Sequence, residues 1–220
     1  MSSIPYRSQY ASPQLAAELQ SGAVAFEDDP RWREFGAATP AEYRRWARCG
    51  CGMACLQMIL AASGGQEVPP LAELGRRSIA YGAYEAEPPG GFGPLIYAGF
   101  VDFLGAELGL SARVAAPLSL HELADAVDGE EVVLASVSAE IRALAPAPAR
   151  RGGHLVLVFE RSEDGASICF HDPAGNDGAN TRGVWLALDQ FERFFAGRGV
   201  AVTLPRSGGA DRPASTPPLG

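Results

Sequence analysis

Lysine is absent from this 220-residue chain: all 18 basic side chains are arginine, set against 26 acidic ones for a formal charge of −8. An acidic chain of this kind is a poor nonspecific ligand for nucleic acid. The lack of lysine is read as a genomic bias without functional weight, although it leaves no ammonium group to stabilise a reactive anion. Long apolar runs are missing too. The densest stretch, around Gly50–Ala62, is too short to span a bilayer, and residues 1–20 lack the basic-then-apolar pattern of a secretory signal. Cysteine is scarce, four in all, with three crowded at Cys49, Cys51 and Cys55. That is not the spread of a disulfide framework, so free thiols and a cytoplasmic, reducing compartment are expected. Histidine is scarcer still, with three. At 47% hydrophobic and 20% charged, what remains has the composition of one ordinary globular domain.

Thr39 followed by Glu42 predicts a capped helix over Pro40–Arg48, and the apolar density of Met53–Leu60, closed by Gly64-Gly65, predicts a buried helix beginning near Cys51. Helices are also expected over Pro13–Gln20, Pro70–Tyr81, Pro94–Leu108 and Leu120–Val127, with a loop at Tyr84–Gly93. Past residue 130 the runs Val132–Ser138, His154–Glu160, Ala166–His171, Val184–Leu188 and Val200–Leu204 read as strands, with a short helix over Asp189–Ala196 capped by Asp189. Helices first and strands later predict an α+β fold. The expected organisation is one domain over 1–205: an N-terminal segment at 1–50, a helical part at 51–130 and a sheet part at 131–205. A tail at 206–220, rich in Gly, Ser and Pro, is expected to be disordered.

Cys51 falls where the buried helix starts, and a helix N-terminus favours the thiolate form that reacts. Gly50 and Gly52 beside it would let a substrate carbonyl come close. The bland alternative is a small buried side chain. A thiolate nucleophile needs a base. His121 follows Ser119 at a helix start, where surface duty is expected. His154 opens one strand and His171 closes the next, just before Asp172-Pro173. A turn centred near Glu163-Asp164 brings His154 beside Asp172, the arrangement of a base oriented by a carboxylate. A metal site from Cys49, Cys51, Cys55 and a histidine does not have the usual zinc spacing, so neither metal nor cofactor is expected. Arg44, Arg45 and Arg48 read as a solvated helix face.

The run Cys51-Gly52-Met53-Ala54-Cys55-Leu56-Gln57-Met58-Ile59 resembles the nucleophile segment of the bacteriocin-processing, double-glycine leader peptidases (cysteine peptidase family thirty-nine), most of all their stand-alone branch. Gly153-His154-Leu155-Val156-Leu157-Val158 is similar to their base segment, and Phe170-His171-Asp172-Pro173 to their Asp-Pro segment. The motifs come in the family's order and cover about residues 51–204. The resemblance implies a papain-like cysteine peptidase fold, with a central catalytic helix packed on a C-terminal antiparallel sheet. It implies a Cys51-His154-Asp172 triad, a thioester intermediate and a peptide or protein substrate. The family's oxyanion-hole glutamine is not found just before Cys51, where the residue six positions back is Arg45. Stand-alone relatives carry it in a Pro-Tyr-Xaa-Ser-Gln segment, matched here by Pro5-Tyr6-Arg7-Ser8-Gln9, so Gln9 is the expected equivalent, with 10–48 inserted after it. An acyltransferase using the same thioester, or an inactive peptide-binding module, are the alternatives. Tyr84–Gly93 and Gly175–Gly183 are the expected cleft rims.

Overall fold

The computed structural model describes residues 4–64, 67–87, 91–144, 148 and 150–204. The tail expected to be disordered lies outside the described residues. Five of the helices stand close to where the sequence places them: α1 (Ala16–Ser21), α2 (Pro40–Cys49), α3 (Cys51–Ser63), α4 (Leu71–Ile79) and, after a hairpin of two-residue strands β1 (Ala86–Glu87) and β2 (Gly91–Phe92), α5 (Tyr97–Leu108). The hairpin occupies the stretch expected to be a loop. The Thr39 side chain accepts from Glu42 N at 3.1 Å, as predicted, but Glu42 reaches past the cap to accept from Ala38 N at 2.6 Å and to bind Arg76 at 2.6 Å, tying α2 to α4. Glycine permits two close approaches. A Cβ on Gly75 would lie 2.6 Å from the Trp46 ring, and one on Gly99 would lie 2.3 Å from the Tyr81 carbonyl oxygen. Ahead of α2, the carboxylate of Asp29 is buried and accepts from Ser12 Oγ at 2.6 Å, Ser12 N at 3.2 Å and Tyr43 Oη, which ties the segment 10–48 together from within.

The architecture is α+β. Six strands form one antiparallel sheet in the order β3-β8-β4-β5-β6-β7: β3 (Ala112–Ala115), β4 (Glu131–Val137), β5 (His154–Arg161), β6 (Ser167–His171), β7 (Val184–Ala187) and β8 (Phe195–Thr203). Strand β3 is not foreseen by the sequence reading; it is a four-residue edge strand with only its last residue buried. Both sheet faces are covered, which is why β4 reads as an unbroken apolar run. Val132, Leu134 and Leu157 pack with α2, α3, α4 and α5 on one face. Val133, Val156, Val158 and Phe170 pack on the other against α6 (Leu120–Asp128), which carries a complete capping box from Ser119 to Glu122. Helix α6 therefore belongs to the far side of the sheet from the helix carrying Cys51.

The helix expected over Asp189–Ala196 is only α7 (Leu188–Glu192), and Asp189 sits inside it with Ala187 at the cap position. The chain is already strand from Phe195, although Phe191, Phe194 and Phe195, all buried, have the i, i+3, i+4 spacing of a single helical face. The β8 ladder then bulges. Val137 pairs with Phe195 and Ala135 with Gly199, so three residues of β8, 196–198, oppose the single Ser136 of β4.

Candidate active site

Helices α2 and α3 meet at Gly50. The last carbonyls of α2 have no partners in their own helix, and that of Ala47 accepts from Gln9 Nε2 at 2.9 Å. A Cβ on Gly50 would lie 2.5 Å from Trp46 O, and one on Gly52 would lie 2.7 Å from Leu95 Cδ2. Gly50 thus serves helix packing, while Gly52 makes room for Leu95 and Leu155, which themselves line the cleft; the space beside each glycine is filled by the protein's own side chains. Cys51 is the first residue of α3, half-buried at the edge of a cleft of about 540 Å³ that Gln9 and His154 also line.

His154 begins β5 opposite Val137. The β5–β6 ladder ends at Leu157↔His171, and a shift between Val158 and Glu160 moves its register, so Asp172 is not the backbone partner of His154. The side chains meet instead. His154 Nε2 lies 2.7 Å from Asp172 Oδ1, both groups being buried. Since Nε2 is engaged with the carboxylate, Nδ1 is left for the Cys51 side, and His154 is near enough to lower the thiol; the sulfur itself donates to Cys49 O at 3.9 Å. Cys51, His154 and Asp172 are therefore brought together in the order the sequence anticipates.

Asp172 Oδ1 also accepts from Ala174 N at 2.8 Å, and Oδ2 accepts from Arg142 Nε at 3.1 Å. Arg142 was not singled out from the sequence. It sits in a 3₁₀ turn, Ala139–Ala143, after β4, and no motif marks it. Its carbonyl accepts from Asn180 Nδ2 at 3.1 Å. The stretch 175–183, expected to be a cleft rim, instead braces Arg142 from outside and contributes none of the residues lining the cleft. The other expected rim, Tyr84–Gly93, is represented among the described residues only by its last residue, Gly93, and the cleft wall continues past it with Pro94 and Leu95.

These contacts set the charges. Burial alone would raise the Asp172 carboxyl, but the charge and hydrogen bond of His154, with Arg142 and the Ala174 N–H, hold it below an ordinary aspartate. Burial alone would lower His154. Asp172, and secondarily Cys51, outweigh it and push the imidazole up to about 9. Burial would raise the Cys51 thiol, yet His154 and the N–H groups of Leu155 and Gly52 bring it below an ordinary cysteine. The other cysteines go the opposite way. Burial pushes Cys49 and Cys169 up to about 12 and Cys55 well above its usual value.

His171 has a different task. Its Nε2 donates to Ile4 O at 2.9 Å and its Nδ1 accepts from Gly183 N at 2.9 Å, which fixes a neutral tautomer; burial lowers its pKa. Tyr6 packs edge-on against its ring and donates to Asp172 O at 3.2 Å, while Gln9 N donates to Pro173 O at 2.8 Å. The N-terminal segment is thus laid against the Asp-Pro turn. This delivers the Gln9 side chain, buried, to the cleft, where its Oε1 has no hydrogen-bond partner among the described residues. His121 is exposed, as expected. Arg48, read as part of a solvated helix face, is exposed but lines the cleft.

Among the described residues no helix is long and apolar enough to cross a membrane. No family model matches the chain, and no curated protein matches it. Among the solved structures that resemble it in shape are two peptidases. The peptidase domain of Streptococcus ComA, a bifunctional ABC transporter involved in a quorum-sensing pathway, is 16% identical with a TM-score of 0.47, over 70% of this chain and 90% of that one. A protein of Bacillus anthracis described as a C39-like peptidase is 13% identical with a TM-score of 0.48, over 70% of this chain and 88% of that one.

Proposed function

We propose that this chain is a papain-like cysteine peptidase, one catalytic domain over 1–205 in which Cys51 is the nucleophile, His154 the base and Asp172 its orienting carboxylate. The observation that carries the reading is the His154 ring, buried, held by Asp172 at 2.7 Å and near enough to Cys51, on the same cleft, that each shifts the other's pKa. The opposed shifts of Cys51 and His154 favour a thiolate–imidazolium pair at rest. The thiolate adds to the carbonyl carbon of a peptide bond, and the negative charge moves to oxygen. The unpaired N–H groups at the start of α3 face that charge, and the second hydrogen on Gln9 Nε2, not used by Ala47, is free to join them. His154 then passes its proton to the leaving amine, and takes one from water as the thioester is hydrolysed.

The test is hydrolysis of a peptide library by the native chain and by Cys51→Ala, with products read by mass spectrometry. Loss of all turnover in a variant with unchanged circular dichroism is expected. Undiminished cleavage by Cys51→Ala refutes the assignment. Brief iodoacetamide treatment at pH 7 should modify Cys51 ahead of Cys49, Cys55 and Cys169, because it alone has a lowered pKa.

A further inference from the structure

The chain is acidic, yet the cleft beside Cys51 is lined by three arginines, Arg48, Arg142 and Arg198, and, among the described residues, by no aspartate or glutamate. Arg142 shares its charge with Asp172. Arg48 and Arg198 have no hydrogen-bond or ion-pair partner among the described residues, whereas Arg44, Arg76, Arg113 and Arg161 each hold a carboxylate elsewhere on the molecule. Two unpaired cations therefore stand at one cleft.

Arg198 is aimed there by the backbone. It is the last of the three β8 residues that bulge opposite Ser136, and the bulge turns on Gly197, at φ 65°, whose carbonyl accepts from Leu118 N at 2.8 Å. Bulges of this kind redirect a side chain that regular alternation would point elsewhere. The guanidinium reaches the segment leading into His154. A Cβ on Gly152 would lie 2.9 Å from Arg198 Nη2 and 3.4 Å from Ser136 Oγ, so Gly152, at φ 97°, leaves room for a cation and a hydroxyl beside the base. Arg48 stands on the opposite, helical wall, at the end of α2 next to Cys49.

We propose that Arg198, with Arg48 facing it, is the specificity determinant of the site, and that it takes a carboxylate carried by the substrate beside the scissile bond. The carboxylate is that of an acidic side chain or of the chain terminus. This rests on the peptidase reading, and deepens it by naming the substrate class. A guanidinium binds a carboxylate through two parallel N–H donors, and since Arg48 and Arg198 are exposed, such a pair discriminates against the matching amide by roughly threefold to fivefold.

The experiment compares peptides with Glu or Gln flanking the cleaved bond, each with a free or an amidated C-terminus. A preference of roughly threefold to fivefold in kcat/KM, carried by KM, is expected for one carboxylate source, and the matched pairs show which. Arg198→Gln should reduce that preference to about 1.5-fold or less, and Arg198→Lys should retain part of it. A readout independent of turnover is the rate ratio of iodoacetate to iodoacetamide at Cys51, in which the sulfur displaces iodide from carbon whether or not any peptide is a substrate. The ratio should fall severalfold in Arg198→Gln and in Arg48→Gln. A native chain indifferent to Glu or Gln and to the terminus, with an iodoacetate ratio unmoved in both variants, overturns the proposal even if peptides are cleaved. If no peptide is cleaved but the ratio falls as stated, the peptidase reading fails and the carboxylate site stands.

Discussion

Replacing Asp172 with asparagine keeps the shape of the side chain and removes its charge, which isolates the electrostatics of the site. In the native protein Asp172 is the first of the influences that raise His154 to about 9 against the opposing effect of burial. Without it, burial dominates and the imidazole falls below its ordinary 6.5, so it can no longer hold a proton for Cys51 at neutral pH. Cys51 then loses the cation that lowers it and returns to 9.0 or above, where about 1% of it is thiolate at pH 7. A thiolate of higher basicity is more nucleophilic, which recovers part of the loss. The net expectation is iodoacetamide modification of Cys51 at pH 7 slowed about tenfold, with the acid limb of the rate–pH profile moved upward. Arg142, whose side chain is 17% exposed, loses its carboxylate. The variant should therefore also be less stable, by about 1–3 kcal/mol, visible in a urea titration. Pairing Asp172→Asn with Arg142→Met should recover stability without recovering the thiol. An Asp172→Asn protein, folded by near-UV circular dichroism, whose alkylation rate stays within about twofold of native from pH 5 to 9 would refute the charge argument.

Gln9→Met should slow kcat by about 10²–10³ with little change in KM if the amide donates to the oxyanion, whereas a change confined to stability would reduce Gln9 to a tether for Ala47. Stability should respond to pH in a way that separates the two members of the ion pair. The His154 contribution is whole below 6.5 and is lost as pH rises to about 9, while that of Cys51 is whole above 9.0 and is lost as pH falls through its lowered value. The two trends oppose each other, so native stability should be nearly level between pH 6.5 and 9. Cys51→Ala, which retains only the His154 shift, should lose on the order of 1–2 kcal/mol over the same range, measured as urea midpoints at pH 6 and 8.5. Asp172 adds a separate loss on acidification, as pH drops through its lowered value. Gly99→Ala should destabilise by about 1–3 kcal/mol, since its methyl would press into the Tyr81–Gly82 backbone; an unchanged urea midpoint would contradict that packing.

Local chemistry made much of this fold readable. Thr39 and Ser119 announce α2 and α6 because a side-chain oxygen followed three residues later by glutamate satisfies the orphan N–H groups of a first turn. The candidate triad was legible because each member sits at the end of an element: Cys51 starts a helix, His154 starts a strand and Asp172 follows one. What was not legible depends on contacts between distant segments. Arg142 meets Asp172 only after β4 and β6 join one sheet, and nothing around Ala139–Ala143 signals that meeting. Edge strand β3, Ala-Arg-Val-Ala, is too short and too little alternating to read. The bulge before Gly199 was hidden because apolar Phe194-Phe195 suit a buried helix and a buried strand equally well. Gly50 and Gly52 looked like room for substrate, whereas Trp46, Leu71, Leu95 and Leu155 occupy that room.

The strapping of the N-terminal segment across the Asp-Pro turn has a consequence for when the thiol becomes reactive. Ile4 is joined to His171, Tyr6 to Asp172 and Gln9 to Pro173, contacts that span 164 residues or more. Pairings this distant close late, after local helices have formed. Until then Cys51 has a helix end but neither base nor carboxylate, and behaves as an ordinary thiol. A chain emerging from the ribosome therefore carries its nucleophile unarmed for more than a hundred residues of further synthesis, and refolding followed by pulsed alkylation should find fast modification of Cys51 arriving well after the helical signal.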